Sequence, residues 1–205
     1  MLNMRKKFKI LAASDLHGDT NQVLKLANRA KEENVDLVVL CGDLTSPIEN
    51  KGIIKPFLDA GKRVIFVPGN HDGIHKGEFL SELYGIKNMH GNSTEYYDIG
   101  FFGCGLANVG PDALTEEEFY DTLKSSFLKI KDKTKKIMIT HIHPDGTIVD
   151  KIEPGFGSKG VRKAIESFKP DFVLCGHVHS AAGVEDFIDN TKVINVGRNG
   201  KIIEL

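Results

Sequence analysis

A chain of 205 residues is long enough to bury one sizeable core, and no Pro/Gly/Ser-rich linker or composition break divides it, so residues 1–205 read as one domain. A formal net charge of −1, with lysines interleaved among acids, excludes the basic footprint of a general nucleic-acid surface. No run approaches the ~20 apolar residues of a membrane span, and the three cysteines, Cys41, Cys104 and Cys175, show neither a disulfide framework nor zinc-finger spacing.

In chain order, Arg5, Lys6 and Lys7 precede an apolar stretch too short for a secretory leader, so a cytoplasmic protein is expected and residues 9–13 read as a buried first strand. Residues 21–33 form an amphipathic helix, with Val23, Leu24, Ala27 and Ala30 near helical spacing. A second strand follows at 36–41, a short helix at 50–60 ended by Gly61, and a third strand at 63–67. This βαβαβ run implies parallel pairing. Residues 95–99 and 101–106 flank Gly100 and look like antiparallel strands. Thr115 with Glu118 makes a capping box that opens a helix to about Ile130. Strand returns at 136–140, helix at 158–168 before Pro170, and strand at 172–175. The tail is β again at 183–188, 192–196 and 201–204, with Asp189-Asn190 and Asn199-Gly200 as turns. The pattern predicts an α/β protein of two packed sheets with helices outside; periodicity alone is equally compatible with one doubly wound sheet.

Short polar motifs follow five of the apolar runs: Asp15-Leu16-His17, Gly42-Asp43, Gly69-Asn70-His71-Asp72, Thr140-His141 and Gly176-His177-Val178-His179. Strand ends in an open α/β sheet gather on one edge, so residues far apart in the chain converge there. Five of the eight histidines fall in these groups, together with Asp15, Asp43 and Asn70. Imidazole and oxygen donors without thiolate suit Mn, Fe, Ni or Zn, and their number fits two ions. Cys41 and Cys175, each just before a motif glycine, read as small apolar packing at strand ends.

These motifs resemble those of the calcineurin-like metallophosphoesterases, D-x-H, G-D, G-N-H-[DE], H and G-H-x-H, every element of which is present between Asp15 and His179. Residues 140–150 and 168–179 look like the small Icc-like phosphoesterases. The resemblance implies a four-layer αββα sandwich of two mixed sheets flanked by helices. It also implies two divalent ions, manganese first among the candidates, one held by Asp15, His17, Asp43 and His179 and the other by Asp43, Asn70, His141 and His177. Asp43 is the best candidate for the bridging carboxylate. Such a pair clamps phosphoryl oxygens and lowers the pKa of bound water towards ~7. The expected reaction is hydrolysis of a phosphodiester, with a monoester as the other option, and the expected partner is a small phosphorylated molecule, with nucleotide-like compounds among the options.

His71, an imidazole beside the expected ligands, is the candidate proton donor to a leaving alkoxide, and Asp72 is the candidate to orient its ring. His143 is a candidate to line the pocket, whose walls are expected from the loops 108–114 and 145–157. His75 and His90 read as loop or supporting residues. Arg162 reads as solvent-facing and Arg198 as a candidate phosphate contact, standing where related sequences have N-P-G-S and this chain has Asn195-Val196-Gly197-Arg198. Protein phosphatases of the superfamily carry G-D-x-x-D-R-G, whereas Leu44-Thr45-Ser46-Pro47 follows Asp43 here. The alternative is a non-catalytic scaffold of the same fold that binds other proteins; intact ligand positions argue for chemistry.

Overall fold

The chain keeps both faces of its central strands away from water. In the computed structural model, which describes residues 7–46 and 52–205, the second strand is buried at every position, as a strand packed on both sides must be. In order the elements are β1 (Lys9–Ala13), α1 (Thr20–Glu32), β2 (Leu37–Cys41), α2 (Lys55–Asp59), β3 (Arg63–Val67), α3 (Gly73–Tyr84), β4 (Lys87–Asn88), β5 (Ser93–Tyr96), β6 (Ile99–Cys104), α4 (Glu116–Phe127), β7 (Lys135–Thr140), α5 (Ile148–Ile152), α6 (Lys159–Phe168), β8 (Phe172–Cys175), β9 (Glu185–Ile188), β10 (Thr191–Asn195) and β11 (Lys201–Glu204). They build two mixed sheets, β11-β1-β2-β3-β4 and β5-β6-β7-β8-β10-β9. The β1-β2-β3 pairing is parallel as the βαβαβ pattern requires, and β11 returns antiparallel beside β1 with Lys9 opposite Glu204.

Alternation along each strand shows why there are four layers. Leu11, Val38, Leu40 and Phe66 point to an apolar cluster shared with α1 and α2. Their neighbours Ile10, Val39, Ile65 and Val67 face Phe101, Ile137, Ile139 and Leu174 of the other sheet. Phe102, Met138 and Val173 then turn outward to Phe119 and Leu123 of α4 and Val161 and Ile165 of α6. Three apolar interfaces therefore separate helix, sheet, sheet and helix, each fully buried Leu, Ile or Phe stabilising by roughly 1.5–3 kcal/mol. This is the αββα sandwich, not a single doubly wound sheet.

Side-chain caps mark the starts of three of the six α-helices among the described residues. Asp19 accepts from Gln22 N at 3.0 Å to cap α1, Thr115 and Glu118 form the reciprocal box before α4, and Ser158 Oγ accepts from Val161 N before α6. Four expectations need correction. The helix expected over 50–60 is observed only at α2, where Pro56 sits in the first turn; Asn50 and Lys51 lie outside the described residues, as do Pro47 and Arg5 and Lys6. The β5–β6 hairpin turns at Tyr97-Asp98, because Tyr96 pairs with Ile99. Gly100 instead lies inside β6, where an added Cβ would fall 2.9 Å from Ile130 Cβ. Helices α3 and α5 were not expected from the periodicity. In α3, Gly77 and Leu80 are buried while Phe79 and Leu83 are exposed, so no clean apolar stripe marks it. Helix α5 is a single short turn. Among the described residues, no helix is long and apolar enough to cross a membrane.

Candidate metal centre

The loops after β1, β2, β3, β7 and β8 meet at one edge and are bonded to one another. Asp15 N donates to Gly42 O at 2.9 Å, His17 N to Asp43 O at 2.9 Å, and Gly176 N to His141 O at 2.9 Å. Close approach needs motif glycines: a Cβ on Gly69 would overlap Asp43 Oδ1, and one on Gly42 would overlap the His141 ring. Asp15, His17, Asp43 and His177 themselves adopt left-handed backbone, with φ of 57°, 45°, 53° and 71°. L-residues avoid that region, and such strain concentrates where side chains must be aimed.

Two groups of side chains could each hold a metal ion, Asp15 with His17 and His179, and Asp43 with His141 and His177; within each, the donor atoms lie within 4.8 Å of one another. In the first, His179 Nε2 is 3.5 Å from Asp15 Oδ1 and 3.1 Å from His17 Nε2. In the second, His141 Nε2 lies 3.4 Å from Asp43 Oδ2, 3.2 Å from His177 Nδ1 and 3.0 Å from Asn70 Oδ1. His141 Nδ1 donates to the Cys41 carbonyl at 2.8 Å, since a carbonyl can only accept. That bond aims the other nitrogen, Nε2, at the cluster. The arrangement thus turns imidazole nitrogens and side-chain oxygens, mostly acceptors, toward a common point. Acceptors crowd in this way around a cation, so the donor set fits divalent metals.

Electrostatics in the metal-free protein make the same point. Burial would push the Asp43 carboxyl up, but the His141 imidazole and the His71 amide and ring pull it down to about 2. Burial would push His141 down, and Asp43 with Asp15 and the Cys41 carbonyl raise it to about 9. Burial and the neighbouring His141 lower His177 to about 4, and burial also lowers His17. The contact between Asp43 and His141 thus favours the charged form of each.

Asp43 belongs to both neighbourhoods: its Oδ2 is 3.8 Å from His17 Nε2 and 3.9 Å from His71 Nε2 as well as near His141. Its other oxygen accepts from His71 N at 2.9 Å. The His71 side chain is 59% exposed and its ring stands edge-on to His17 at 5.2 Å, so its imidazole faces the open side of the site.

Asp72 does not stand behind the His71 ring as expected. Its buried carboxylate accepts from Leu44 N, Thr45 N, Thr45 Oγ1 and Gly69 N, at 2.8–3.1 Å. Four inward donors hold it, so Asp72 clamps the Asp43 loop to the Asn70 loop. His143 does not line an open pocket either: it is fully buried, with Nε2 3.6 Å from Asp150 Oδ1. His75 lies on α3 rather than in a loop and is exposed beside Glu78, and His90 Nδ1 accepts from Gly105 N at 3.2 Å, a supporting contact. Arg162 donates to Glu166 and to the Asp145 carbonyl, and Arg198 pairs with Asp19, the cap of α1. The three cysteines are buried free thiols.

Some supporting groups escaped the sequence reading. Ser14 Oγ donates to Asp15 Oδ2 at 2.6 Å. Asn195 Nδ2 donates to Gly176 O and Val178 O, holding the turn that carries His177 and His179. Phe156 lies against His177. The Cys41 carbonyl carries no side-chain signal at all, whereas Ser14 sits in plain view beside D-x-H.

The sandwich and its edge of metal donors define a metallophosphoesterase-type protein. The calcineurin-like phosphoesterase family model matches residues 8–181, and the chain belongs to that family. It is similar to an uncharacterized protein of Methanocaldococcus jannaschii, MJ1162, at 32% identity over 94% of this chain and 89% of the relative. It is also similar to the phosphodiesterase MJ0936 of the same organism, at 25% identity over 92% of this chain and 82% of the relative. The crystal structure of TT1561 of Thermus thermophilus superposes with a TM-score of 0.73 at 19% identity, covering 97% of this chain and 99% of that one.

Proposed function

We propose that the protein hydrolyses phosphodiesters. Asp15, His17, Asp43 and His179 would hold one divalent ion and Asp43, Asn70, His141 and His177 the other, with manganese the first candidate and iron, nickel or zinc the alternatives. The observation that carries the reading is Asp43, whose Oδ2 lies 3.8 Å from His17 Nε2 of the first group and 3.4 Å from His141 Nε2 of its own. When bound, such a pair supplies Lewis acidity to the phosphoryl oxygens and a nucleophilic water at neutral pH.

The chain's own residues then divide the remaining work. Asp43 and the strained Asp15, His17 and His177 present their donors without reorganisation. Water supplies the oxygen of the new P–O bond, the old P–O bond breaks, and the leaving alkoxide takes a proton from His71. The exposure of that imidazole beside both groups supports the assignment. Asp72 acts from below, by fixing the distance between the Asp43 and Asn70 loops.

Two observations favour a singly charged diester over a dianionic monoester. Arg198 and Arg162 are engaged by Asp19 and Glu166, and no Asp-Arg pair follows Asp43. The similarity to a protein named as a phosphodiesterase points the same way. A small phosphorylated substrate, a cytoplasmic setting suited to three free thiols, and a single unit in which the last strand pairs with the first belong to the same reading. The test is metal content by elemental analysis, with kcat/KM for bis(p-nitrophenyl) phosphate and p-nitrophenyl phosphate with and without Mn²⁺. A preference of more than about tenfold for the monoester, ~1.4 kcal/mol of transition-state binding, would overturn the diester assignment.

A further inference from the structure

We propose that Phe156 selects the organic group of the ester, and that this group is a planar aromatic ring, as in a nucleobase or an aryl ester. The inference rests on the phosphodiester reading above and deepens it.

The ring is presented by a loop built to hold it still. Residues 144–158 leave the end of β7 just after His141 and His143. The loop closes on itself, because Ser158 N donates to His143 O at 2.9 Å and Asp145 N to Ser158 O at 3.0 Å. Asp150 ties the neck from inside, accepting from Gly146 N and Gly157 N at 3.2 Å each. From outside, Arg162 donates to the Asp145 carbonyl at 3.1 Å. The loop is then seated on the metal edge: Val149 of α5 packs against Val178 and Ala181, on the turn that carries His177 and His179. Anchored at its neck and along α5, it is a fixed wall.

Phe156 is the only aromatic residue this wall carries. Its ring centroid stands 6.1 Å from that of His177, inclined by 63° in an edge-to-face contact. It is half-buried beside a candidate ligand. A phenylalanine serving only to seal His177 from water would bury its ring as Phe101 and Phe102 do. Because the ring stands against His177, an ester whose phosphate reached the donor groups would have its substituent within reach of this ring. A planar π-face gains from stacking there, and an alkyl or bare sugar substituent gains much less.

The experiment uses the full chain loaded with Mn²⁺ and compares AMP with ribose 5-phosphate by calorimetry, two ligands that share a phosphate and differ in the base. Base stacking on one aromatic side chain predicts AMP binding about 5- to 150-fold tighter in the wild type. In Phe156→Ala the ratio should fall to about one, and Phe156→Tyr should keep it, with metal content equal in all three proteins. Equal binding of the two ligands by the wild type overturns the proposal. So does a Phe156→Ala protein that loses metal or weakens both ligands alike, since the ring would then only support His177. Diester turnover is measured in parallel. Turnover without an AMP preference rejects the aromatic subsite alone, and an AMP preference without turnover rejects the hydrolase reading while the subsite stands.

Discussion

Replacing Asp72 by alanine should damage both the fold and the metal edge, through bonds that can be counted. Asp72 is 4% exposed, and its carboxylate accepts from three backbone amides, Leu44, Thr45 and Gly69, and from the Thr45 hydroxyl. The hydroxyl can rotate to a new acceptor, but the three amides cannot. Leaving a buried donor unsatisfied costs about 1–3 kcal/mol, so three give roughly 3–9 kcal/mol, with the lower half applying if water enters the space. Even about 3–5 kcal/mol is a large part of the 5–15 kcal/mol that holds an ordinary domain together. For a chain of this size it lowers Tm by roughly 6–20 °C. Leu44 and Thr45 follow Asp43 directly, and Gly69 precedes Asn70, so the released loops should also loosen the donors of both groups. Asp72→Asn keeps one acceptor oxygen and turns an amide toward donors, and should fall between. Calorimetric Tm of the metal-free proteins and elemental analysis after loading read both effects. An Asp72→Ala protein within about 1 kcal/mol of wild type with full metal content, slowed only on esters with poor leaving groups, would refute the clamp and restore a role behind His71.

Asp43→Ala should abolish metal-dependent hydrolysis and lower occupancy of both metals together; loss of one ion alone would show that Asp43 does not bridge. His71→Ala should retain both metals and slow hydrolysis by ~10²–10⁴-fold for alkyl leaving groups, less for nitrophenyl ones, and equal losses for the two would reject proton donation. Metal-free protein should be most stable near pH 6.5. His141, raised to about 9, contributes stability that is fully present below 6.5 and lost as pH rises through 9, whereas His177, lowered to about 4, costs stability as pH falls from 6.5 toward 4. A metal-free Tm that keeps climbing between pH 6.5 and 9 contradicts this, and metal affinity should instead rise over that range as the His141 proton becomes easier to displace.

What the sequence by itself determined is local. Each motif is a short peptide at the end of an apolar run, so strand, turn and donor type are written side by side, and Thr115 with Glu118 marks the start of its helix. Motif order and strand order together were enough to bring Asp15, His17, Asp43, Asn70, His141, His177 and His179 to one edge. Tertiary structure decided whatever depends on partners distant in the chain. Strands buried on both faces look alike in one sheet or in two, and only pairing β11 to β1, and β6 to β7, separates the cases. Helix α3 is hidden because its exposed Phe79 and Leu83 spoil the periodicity by which a helix is recognised. The directions of the Asp72 and His143 side chains were not legible because adjacency in sequence says nothing of which way a side chain turns. Asp72 is held by donors 27 and 28 residues away as well as by Gly69. His141 is aimed by a carbonyl 100 residues earlier. The left-handed backbone of Asp15, His17, Asp43 and His177 is likewise a tertiary property, because packing across both sheets must outweigh a conformation that each residue alone would avoid.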